Sequence, residues 1–559
     1  MVRTLRKGTT WHLRGPCYRL WSFWLLSLLS VQIFGEIARD TGGASDTVSL
    51  EGVFVFEPKG LEVHEHTRAT FLPEVLRDLP RFEIEVVTNG MELIPANRRL
   101  VTTEHPQFDY IVSAGSVWAE GDEHWAGIPF TLIHRGVNCT HNGEFTFRYG
   151  DNSIAHPFVR VNQETCHFLK VDIQGSVDSF SYDPQPVANR DEIVEKYVVE
   201  SNARLPVKSL EALEQEHGVS IATLKAALPP DDGLSILGVY YDGIHYSTEC
   251  RTRSGPYRYC DQMLFTSFST AKSTYPALVL MRMAQQYGME VYQERITEVI
   301  PETQDSRGAW ADVTLDNLGD MASGNFNVAA PMADPGPGNF YSDIDEAGKL
   351  SAALSWQQST PPGSQFVYQT ADTFTLVVGL NRFLSGEKDK STDSFDYLVE
   401  EVFRPLNLSE ELFASRRTRE SGIPNTGSAF GGMGMWWNRD GIVRLSKFLS
   451  IDDGRVGDRQ ILHPDALAET LQKKDPPQGL PMNFFGNYYN NGMWALPVHQ
   501  TRPDLFQCEV WVPFMSGLSG VRVMLFPNDT IIYFFNDTQS FPIYEAVDVA
   551  NQLSPFCQE

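Results

Sequence analysis

From residue 47 to residue 182 the chain consists of short runs in which apolar and polar residues alternate, or in which β-branched and aromatic residues dominate, with turn residues between them. Runs such as VSLEGVFVFE, FEIEVVTNGMELI and IPFTLIHRG are typical of strands with one buried face. Asn89-Gly90 and Asn142-Gly143 supply residues that tolerate positive φ, which tight hairpins need. The pattern predicts an all-β, sandwich-like region over residues 45–182.

No catalytic group of residues is recognisable in this β-rich region, so we expect it to be an accessory domain. Trp118 and Trp125 are its candidates for binding a partner or a glycan. The alternative is that both are core or interface aromatics, which is the more common role of a tryptophan in a β-rich domain.

The pattern changes at SYDPQPVANRDEIVEKY, where prolines are followed by a charged segment that is compatible with a helix. We expect a linker near residues 183–192, and a linker and helical segment over residues 183–232 as a whole.

Residues 233–557 have a mixed pattern. The run ILGVYYDGIHYST predicts a hairpin that turns at Asp242-Gly243, and VRVMLFPNDTIIYFFND predicts two paired strands before a final helix. Longer helical patterns lie between these ends of the region. The sequence therefore predicts an α/β unit of the α+β type, whose two ends contribute neighbouring strands to one antiparallel sheet.

The first 35 residues contain five arginines and lysines and no acidic residue, and they end in an apolar run from Trp21 to Phe34. This combination predicts a signal peptide over residues 1–35 and a periplasmic or secreted protein. The 14-residue run is short for a membrane span, although an uncleaved anchor is the alternative. After signal removal we expect no stable membrane insertion.

Six of the seven cysteines lie outside the predicted signal peptide. Six cysteines permit fifteen connectivities, and an oxidising compartment favours their pairing. Neighbours in sequence suggest the pairs Cys139 with Cys166, Cys250 with Cys260, and Cys508 with Cys557. No cysteine or histidine spacing suggests zinc, and the sequence predicts no metal and no cofactor.

The formal net charge is -26 at pH 7. A chain with this charge would be repelled by a phosphate backbone or by an anionic membrane, which argues against nucleic acid as a partner. We interpret the charge as a contribution to solubility.

The sequence Ser269-Thr270-Ala271-Lys272 begins a segment whose composition favours a helix ending near Gly288. The spacing puts the serine hydroxyl and the lysine amine on one helix face. A serine hydroxyl is a weak nucleophile that needs a neighbouring base, and the positive end of a helix disfavours a protonated lysine. Pro276 is an anomaly, because a proline inside a helix bends the axis.

The Ser-x-x-Lys pattern is weak by itself, since a second copy starts at Ser385 in a polar stretch that we interpret as a solvated loop. Further blocks follow the first copy: WADVTLDNLGDMASG, PPGSQFVYQTADTFTLVVGL, GGMGMWWNRDGIVRLSKFLS, GDRQILHPDAL and SGLSGVRVMLFPN. In their order and spacing they resemble the serine β-lactamase and penicillin-binding-protein superfamily, in particular its class C-like branch of esterases, D-amino peptidases and linear-amide hydrolases. The resemblance covers residues 233–557.

This resemblance implies catalytic roles for three residues. Ser269 would be the acylated nucleophile, Lys272 its base, and Tyr368 the tyrosine of the second motif, which relays the proton. Thr370 stands where the family has an asparagine that orients the substrate and the lysine.

The family's third motif, a lysine or histidine followed by Thr-Gly, aligns with Met515-Ser516-Gly517. Methionine offers no charge for a substrate carboxylate, so we do not expect antibiotic hydrolysis. Glycine at 517 would let the strand edge approach the substrate, and the backbone N–H of Leu518 would complete an oxyanion hole with that of Ser269.

We therefore expect an exported serine hydrolase that cleaves a small ester, amide or peptide substrate through an acyl-enzyme. One alternative is a β-lactamase or D-alanyl peptidase that anchors a carboxylate through Arg251 or Arg253. Another is a non-catalytic binding protein on the same fold. A Ser-His-Asp triad is not expected, because the sequence contains no GxSxG elbow and neither His245 nor His499 lies in a recognisable catalytic context.

Overall fold

A computed structural model describes residues 49–65, 73–150, 152–164, 166–230, 233–304, 309–327, 331–334, 336–387, 392–473, 476–482 and 486–557. The predicted signal peptide lies outside these residues. The chain from Thr47 to Glu559 forms one compact unit. The division into an accessory domain and a catalytic domain remains a prediction.

Within its described residues, the β-rich region contains eleven strands and one short helix. The helix is α1 (Pro73–Leu76), and the strands β1 to β11 are Gly52–Glu57, Glu62–Glu65, Phe82–Asn89, Glu92–Pro95, Phe108–Val112, Gly115–Glu120, Glu123–His134, Thr140–Gly150, Ser153–Glu164, Val171–Ser176 and Ser179–Pro184. They form a single hydrogen-bonded sheet in the order β11-β1-β3-β4-β6-β7-β8-β9-β10-β2, with β5 beside β7.

This arrangement confirms the prediction of an all-β region. It differs from the two separate sheets of a sandwich, because hydrogen bonds connect all eleven strands in one sheet. Phe54, Phe82, Phe130 and Phe145 are fully buried in one apolar cluster that collects side chains from the whole sheet.

The two Asn-Gly pairs behave differently. Asn89-Gly90 closes the hairpin between β3 and β4, with Gly90 at a φ of 61°. The hairpin predicted at Asn142-Gly143 is wrong, because this pair lies within β8 at an irregularity in its pairing with β9. The Asn142 amide binds both the N–H and the carbonyl of Leu264, so a tertiary contact replaces the turn.

The remaining elements are β12 to β26 and α2 to α15. The strands are Val207–Ser209, Leu234–Tyr241, Ile244–Ser247, Arg251–Thr252, Gly255–Pro256, Phe265–Thr266, Trp436–Trp437, Arg455–Val456, Arg459–Gln460, Leu480–Pro481, Tyr488–Asn490, Met493–Pro497, Trp511–Gly517, Val521–Leu525 and Ile531–Asn536. The helices are Arg190–Asn202, Leu210–His217, Ala222–Ala227, Thr270–Thr274, Pro276–Tyr287, Ile296–Val299, Leu315–Gly319, Glu346–Ala353, Thr370–Glu387, Ser394–Leu398, Arg439–Ser450, Pro464–Leu471, Val498–Thr501 and Ile543–Leu553. Short 3₁₀ turns cover Met289–Gln293, Pro301–Thr303 and Glu410–Leu412, and Val399–Phe403 is a π-helical turn.

Nine of these strands form a second sheet in the order β12-β14-β13-β26-β25-β24-β23-β22-β21. All its pairs are antiparallel except β12 with β14. The predicted hairpin at Asp242-Gly243 joins β13 to β14, and β13 pairs with β26. The sequence prediction that both ends of this region share one sheet is therefore confirmed.

Apolar clusters cover both faces of the nine-stranded sheet. Val523 and Phe535 face a large cluster with α5, α6 and α12, whereas Leu237 and Phe534 face a second cluster with α3, α4 and α15. Part of the predicted linker and helical segment thus belongs to this core, because β12, α3 and α4 all pack with the sheet.

Contacts between the β-rich region and the rest of the unit include buried salt bridges and a cation–π contact. Arg98, which follows β4, forms buried salt bridges with Glu200 of α2 and with Glu411. Trp118 stacks on Trp125, and the guanidinium of Arg258 lies 3.9 Å from the centroid of the Trp118 ring. This packing agrees with the interface alternative for the two tryptophans.

The three disulfides join Cys139 with Cys166, Cys250 with Cys260, and Cys508 with Cys557, which confirms the pairing suggested by sequence neighbours. Such disulfides are typical of proteins that fold in an oxidising compartment. Among the residues that the structure describes, no helix has the length and apolar character needed to span a membrane.

Candidate active site

Ser269 ends a loop of three residues, Ser267 to Ser269, which we call the nucleophile loop. The loop follows β17 and leads into α5. Phe268 has a φ of 40°, in the left-handed region that residues other than glycine seldom adopt, and its side chain is buried. Backbone strain of this kind persists only where surrounding contacts hold it, and it is concentrated at functional sites.

The single helix predicted from Ser269 to Gly288 is two helices. Tyr275, with φ -130° and ψ -84°, separates α5 from α6, and Pro276 is the first residue of α6. A proline is compatible with a first helical turn because its missing N–H would have no partner there. The predicted bend within one helix is thus a new helix start, and the predicted end at Gly288 is confirmed.

Ser269, Lys272 and Tyr368 meet at the start of α5. Lys272 Nζ lies 3.2 Å from Ser269 Oγ and 3.1 Å from Tyr368 Oη, and Tyr368 Oη donates to Ser269 Oγ at 2.6 Å. Lys272 is 2% exposed, whereas the other two residues are partly exposed. The serine and the tyrosine are accessible from outside, and the amine lies behind them.

Tyr368 is held from both sides. Its backbone N–H donates to Pro331 O at 2.7 Å and its carbonyl accepts from Ala333 N at 2.9 Å, just before α10 begins. Its ring is stacked with Trp494, with centroids 6.2 Å apart and planes inclined by 17°. Trp436 and Trp437, in contrast, are fully buried core residues.

Thr370 and Asp334 extend the polar contacts of Lys272. Lys272 Nζ lies 3.1 Å from Thr370 Oγ1 and 3.3 Å from the carbonyl oxygen of Gly432. Thr370 donates to Asp334 Oδ2 through its hydroxyl at 2.7 Å and to Asp334 Oδ1 through its backbone N–H at 2.8 Å. Sequence reasoning missed Asp334, whose one signal is its position in a polar loop rich in glycine and proline, MADPGPGNF.

The strand predicted to bind substrate, β24, ends beside the nucleophile loop. A Cβ atom on Gly517 would lie 2.7 Å from the carbonyl oxygen of Ser267, so only glycine permits this approach. Leu518 follows the strand and is 42% exposed. Met515 is fully buried in the apolar core that faces α5.

The β-rich region supplies a residue that contacts the nucleophile loop. The buried Asn138 accepts hydrogen bonds through Oδ1 from Gly434 N at 3.0 Å and from Ser267 Oγ at 3.3 Å, and it donates to Met435 O at 3.4 Å. In the sequence, Asn138 is recognisable only as a glycosylation sequon, Asn-Cys-Thr. With both atoms of its amide engaged inside the protein, it holds the loop that carries Ser269.

The surroundings of three arginines bear on whether the folded protein could anchor an anionic substrate. Arg253 forms a salt bridge with Asp537, and Arg251 lies in the short strand β15. Arg522 pairs with Ser516 across β24 and β25 and donates to its hydroxyl at 3.1 Å. Burial lowers the pKa of Arg522 to about 9. This guanidinium, which sequence reasoning did not consider, packs on the ring of Phe514, on the face of the sheet that is turned away from α5.

The carboxyl group of Asp372 lies in the first turn of α10. It accepts hydrogen bonds from Ser323 Oγ at 2.9 Å and from Ser323 N at 3.2 Å. Burial raises its pKa from 3.8 to about 7, and the charge of Asp334 contributes in the same direction. Asp372 is therefore a buried acid that changes its charge near neutral pH.

Other residues considered in the sequence lie away from this site. His245 is fully buried beside Tyr533 Oη at 2.9 Å, and burial lowers its pKa to about 3. His499 Nδ1 lies 3.0 Å from Val510 O.

Ser385 of the second Ser-x-x-Lys copy lies in α10 and donates a hydrogen bond to Asn381 O, so the interpretation of this serine as part of a loop is wrong. Lys388 of this copy lies outside the described residues. Within the described ranges, no group of three or more metal-binding side chains was found.

Solved structures of class C β-lactamases, penicillin-binding proteins and amide hydrolases match this chain over about 60% of its length. A Bacillus anthracis protein provisionally named as a 6-aminohexanoate-dimer hydrolase is 15% identical to this chain, with a TM-score of 0.44. The match covers 59% of this chain and 81% of that chain. A penicillin-binding protein from Bacillus halodurans is 14% identical, with a TM-score of 0.42 and coverage of 60% and 100%. A D-stereospecific amidohydrolase from Streptomyces sp. is 14% identical, with a TM-score of 0.41 and coverage of 61% and 98%.

No protein-family model matches the chain. No curated protein matches it either. At identities of about 15% and TM-scores below 0.5, the structural matches say nothing about the substrate or the mechanism of this protein.

Proposed function

We propose that this protein is a serine hydrolase that cleaves an ester or an unstrained amide through an acyl-enzyme on Ser269. The observation that carries the proposal is the mutual hydrogen-bond contact of Ser269 Oγ, Lys272 Nζ and Tyr368 Oη. A nucleophile that contacts a base, with a second proton carrier in reach of both, is the arrangement that acyl transfer requires.

In the proposed acylation step, Ser269 Oγ attacks the substrate carbonyl and its proton passes to Lys272 or Tyr368. The backbone N–H groups of Ser269 and Leu518 stabilise the oxyanion that forms. Tyr368 then protonates the leaving alcohol or amine as the carbon–oxygen or carbon–nitrogen bond breaks. Water attacks the ester on Ser269 in the second step, gives a proton back through the same groups, and releases the acid.

The first test of this proposal is a covalent one. Intact-protein mass spectrometry after exposure to a fluorophosphonate should show one adduct, and peptide mapping should place it on Ser269. Ser269→Ala should abolish the adduct, and Lys272→Ala should slow its formation by about 100-fold or more. Ser385→Ala, in the second Ser-x-x-Lys copy, is the matched control and should label like the wild type.

Turnover is tested with short-chain aryl esters. Hydrolysis that depends on Ser269 and Tyr368 supports the mechanism. If the wild-type protein forms no adduct and hydrolyses no ester or amide, the enzymatic proposal fails, and the non-catalytic binding protein becomes the better hypothesis.

A second candidate function is hydrolysis of a substrate that carries a carboxylate, as a β-lactamase or D-alanyl peptidase does. The contacts of Ser269, Lys272 and Tyr368 would serve it equally well, but its carboxylate would need a cation. Arg522 lies on the face of the sheet that is turned away from α5, against the ring of Phe514, and is poorly placed for this role. Arg253 is also poorly suited to this role, since Asp537 already neutralises it.

Turnover of a chromogenic cephalosporin beside a neutral aryl ester separates the two candidates. Cephalosporin turnover by the wild type that is lost in Lys272→Ala would support the second candidate. No cephalosporin turnover by the wild type would remove this second candidate and leave the first intact.

A further inference from the structure

The amine of Lys272 lies within hydrogen-bond distance of four oxygen atoms. They are Ser269 Oγ at 3.2 Å, Tyr368 Oη at 3.1 Å, Thr370 Oγ1 at 3.1 Å and the Gly432 carbonyl oxygen at 3.3 Å. A protonated amine has three hydrogens and a neutral amine has two hydrogens and one lone pair. The amine hydrogens of Lys272 therefore point to those of the four oxygens that can only accept a hydrogen bond from it.

Gly432 O can only accept, because it is a carbonyl oxygen. Thr370 Oγ1 carries one hydrogen, and Asp334 Oδ2 at 2.7 Å is an acceptor for it. Asp334 also accepts the backbone N–H of Thr370 at 2.8 Å and the hydroxyl of Tyr341 at 3.2 Å, which is the pattern of an ionised carboxylate. The hydroxyl hydrogen of Thr370 thus points to Asp334, and a lone pair of its oxygen faces Lys272.

Two acceptors on one side of Lys272 have a consequence for the neutral amine. Its two hydrogens point to Thr370 Oγ1 and to Gly432 O, so its lone pair faces Ser269 Oγ and Tyr368 Oη. That is the orientation in which the amine takes a proton from either hydroxyl. If Thr370 were free to donate to Lys272 instead, the lone pair would face Thr370 and not the nucleophile.

We propose that Asp334 is a positioning residue which acts through Thr370 to turn the lone pair of Lys272 toward Ser269 and Tyr368. This inference rests on the proposed function, since it concerns how Lys272 works as a base. Asp334 and Thr370 together supply one fixed acceptor for Lys272. Asp334 does not touch the reacting atoms and is not a catalytic residue.

The charges around this pair bear on the pH dependence of the rate. Asp334 faces Thr370 and Tyr341, and its charge also raises the pKa values of Tyr341 and of Asp372. Its partner Thr370 contacts the Lys272 amine. Asp334→Asn removes this charge, so its pH–rate profile is compared with that of the wild type.

The test uses the full-length protein and the variants Asp334→Asn, Thr370→Val, Thr370→Ser and the double variant Asp334→Asn with Thr370→Val. Fluorophosphonate labelling rates and kcat and KM for an aryl ester are measured as a function of pH, with thermal unfolding as a check on folding. Asp345→Asn is the matched control, because Asp345 is an exposed carboxylate in the same segment whose side chain caps no helix N–H.

Asp334→Asn and Thr370→Val should each lower kcat by about 10- to 100-fold with little change in KM, and Thr370→Ser should restore most of the loss. The double variant should be no slower than Thr370→Val alone, since Asp334 acts through Thr370.

Wild-type rates and a wild-type pH profile in Asp334→Asn would overturn the inference, and so would losses that multiply in the double variant. Both results presuppose a wild-type protein that labels on Ser269. Absence of that labelling is the separate outcome that refutes the proposed function itself.

Discussion

Asp372 makes the stability of this protein depend on pH in a direction opposite to that of most carboxylates. It is 2% exposed, and its pKa rises from 3.8 to about 7 on folding because burial disfavours the charged form. A group whose pKa is raised in the folded state contributes stability at low pH and loses that contribution as the pH rises. Stability from Asp372 is thus complete below about pH 4 and is lost by about pH 7 or slightly above.

The size of the effect follows from the two pKa values. Each pKa unit corresponds to about 1.4 kcal/mol, so the change from 3.8 to about 7 corresponds to about 4 kcal/mol. In the window between these pH values, the free energy of unfolding falls by about 1.4 kcal/mol per pH unit through this one group.

Asp372→Asn is the variant that isolates this contribution, because an amide resembles the neutral carboxylic acid in shape and does not titrate. We expect the variant to resemble the wild type near pH 4 and to exceed it in stability by up to about 4 kcal/mol above pH 7. All other titrating groups are shared by the two proteins and cancel in the difference.

Urea unfolding of both proteins at a series of pH values measures the difference directly. If the curves of unfolding free energy against pH coincide for the two proteins, Asp372 has an ordinary pKa in the folded state. A variant that is less stable than the wild type by the same amount at every pH would show loss of hydrogen bonds to Ser323 without a titration effect.

Three further predictions concern other contacts of the site and of the fold. Gly517→Ala adds a methyl group that would meet the nucleophile loop, so it should slow fluorophosphonate labelling by about 100-fold. The control Gly386→Ala has open space around the added methyl group and should label normally. Equal labelling rates in the two variants would exclude the close approach of β24 to the loop in solution. Asn138→Ala should lower both the labelling rate and the unfolding free energy, the latter by about 2–4 kcal/mol. Unchanged values beside a control at the exposed helical residue Asn202, Asn202→Ala, would refute the role of Asn138 in holding the loop. Serine replacement of the Cys508–Cys557 pair, 49 residues apart, should destabilise by about 4 kcal/mol in chemical denaturation, and an unchanged midpoint would contradict this estimate.

The sequence by itself determined the features that depend on neighbours along the chain. The Asp242-Gly243 hairpin, the paired strands β25 and β26, and the three disulfides between sequence neighbours all follow from short-range patterns. The contact between Ser269 and Lys272 belongs to the same class, since a spacing of three residues on one helical turn brings the side chains together before any other part of the chain is placed.

The contact of Tyr368 with Ser269 bridges 99 residues, and no local pattern specifies it. It was predicted only because the order of blocks resembles a known superfamily. Without that resemblance, Tyr368 would be one aromatic residue in an extended segment, because hydrophobic periodicity indicates which face is buried and not which residue it meets.

Only the tertiary structure decided how Lys272 is surrounded and what the β-rich region does at the site. Asp334, Gly432 and Asn138 lie in loops with no periodic signal, and they reach the site because packing of distant segments brings them there. The same packing turned Asn142-Gly143 from an expected hairpin into part of β8, since the hydrogen bonds of Asn142 with Leu264 satisfy polar groups that would otherwise be buried without partners. Local propensities select the elements, whereas the need to bury apolar surface and to satisfy every buried polar group selects the contacts between them.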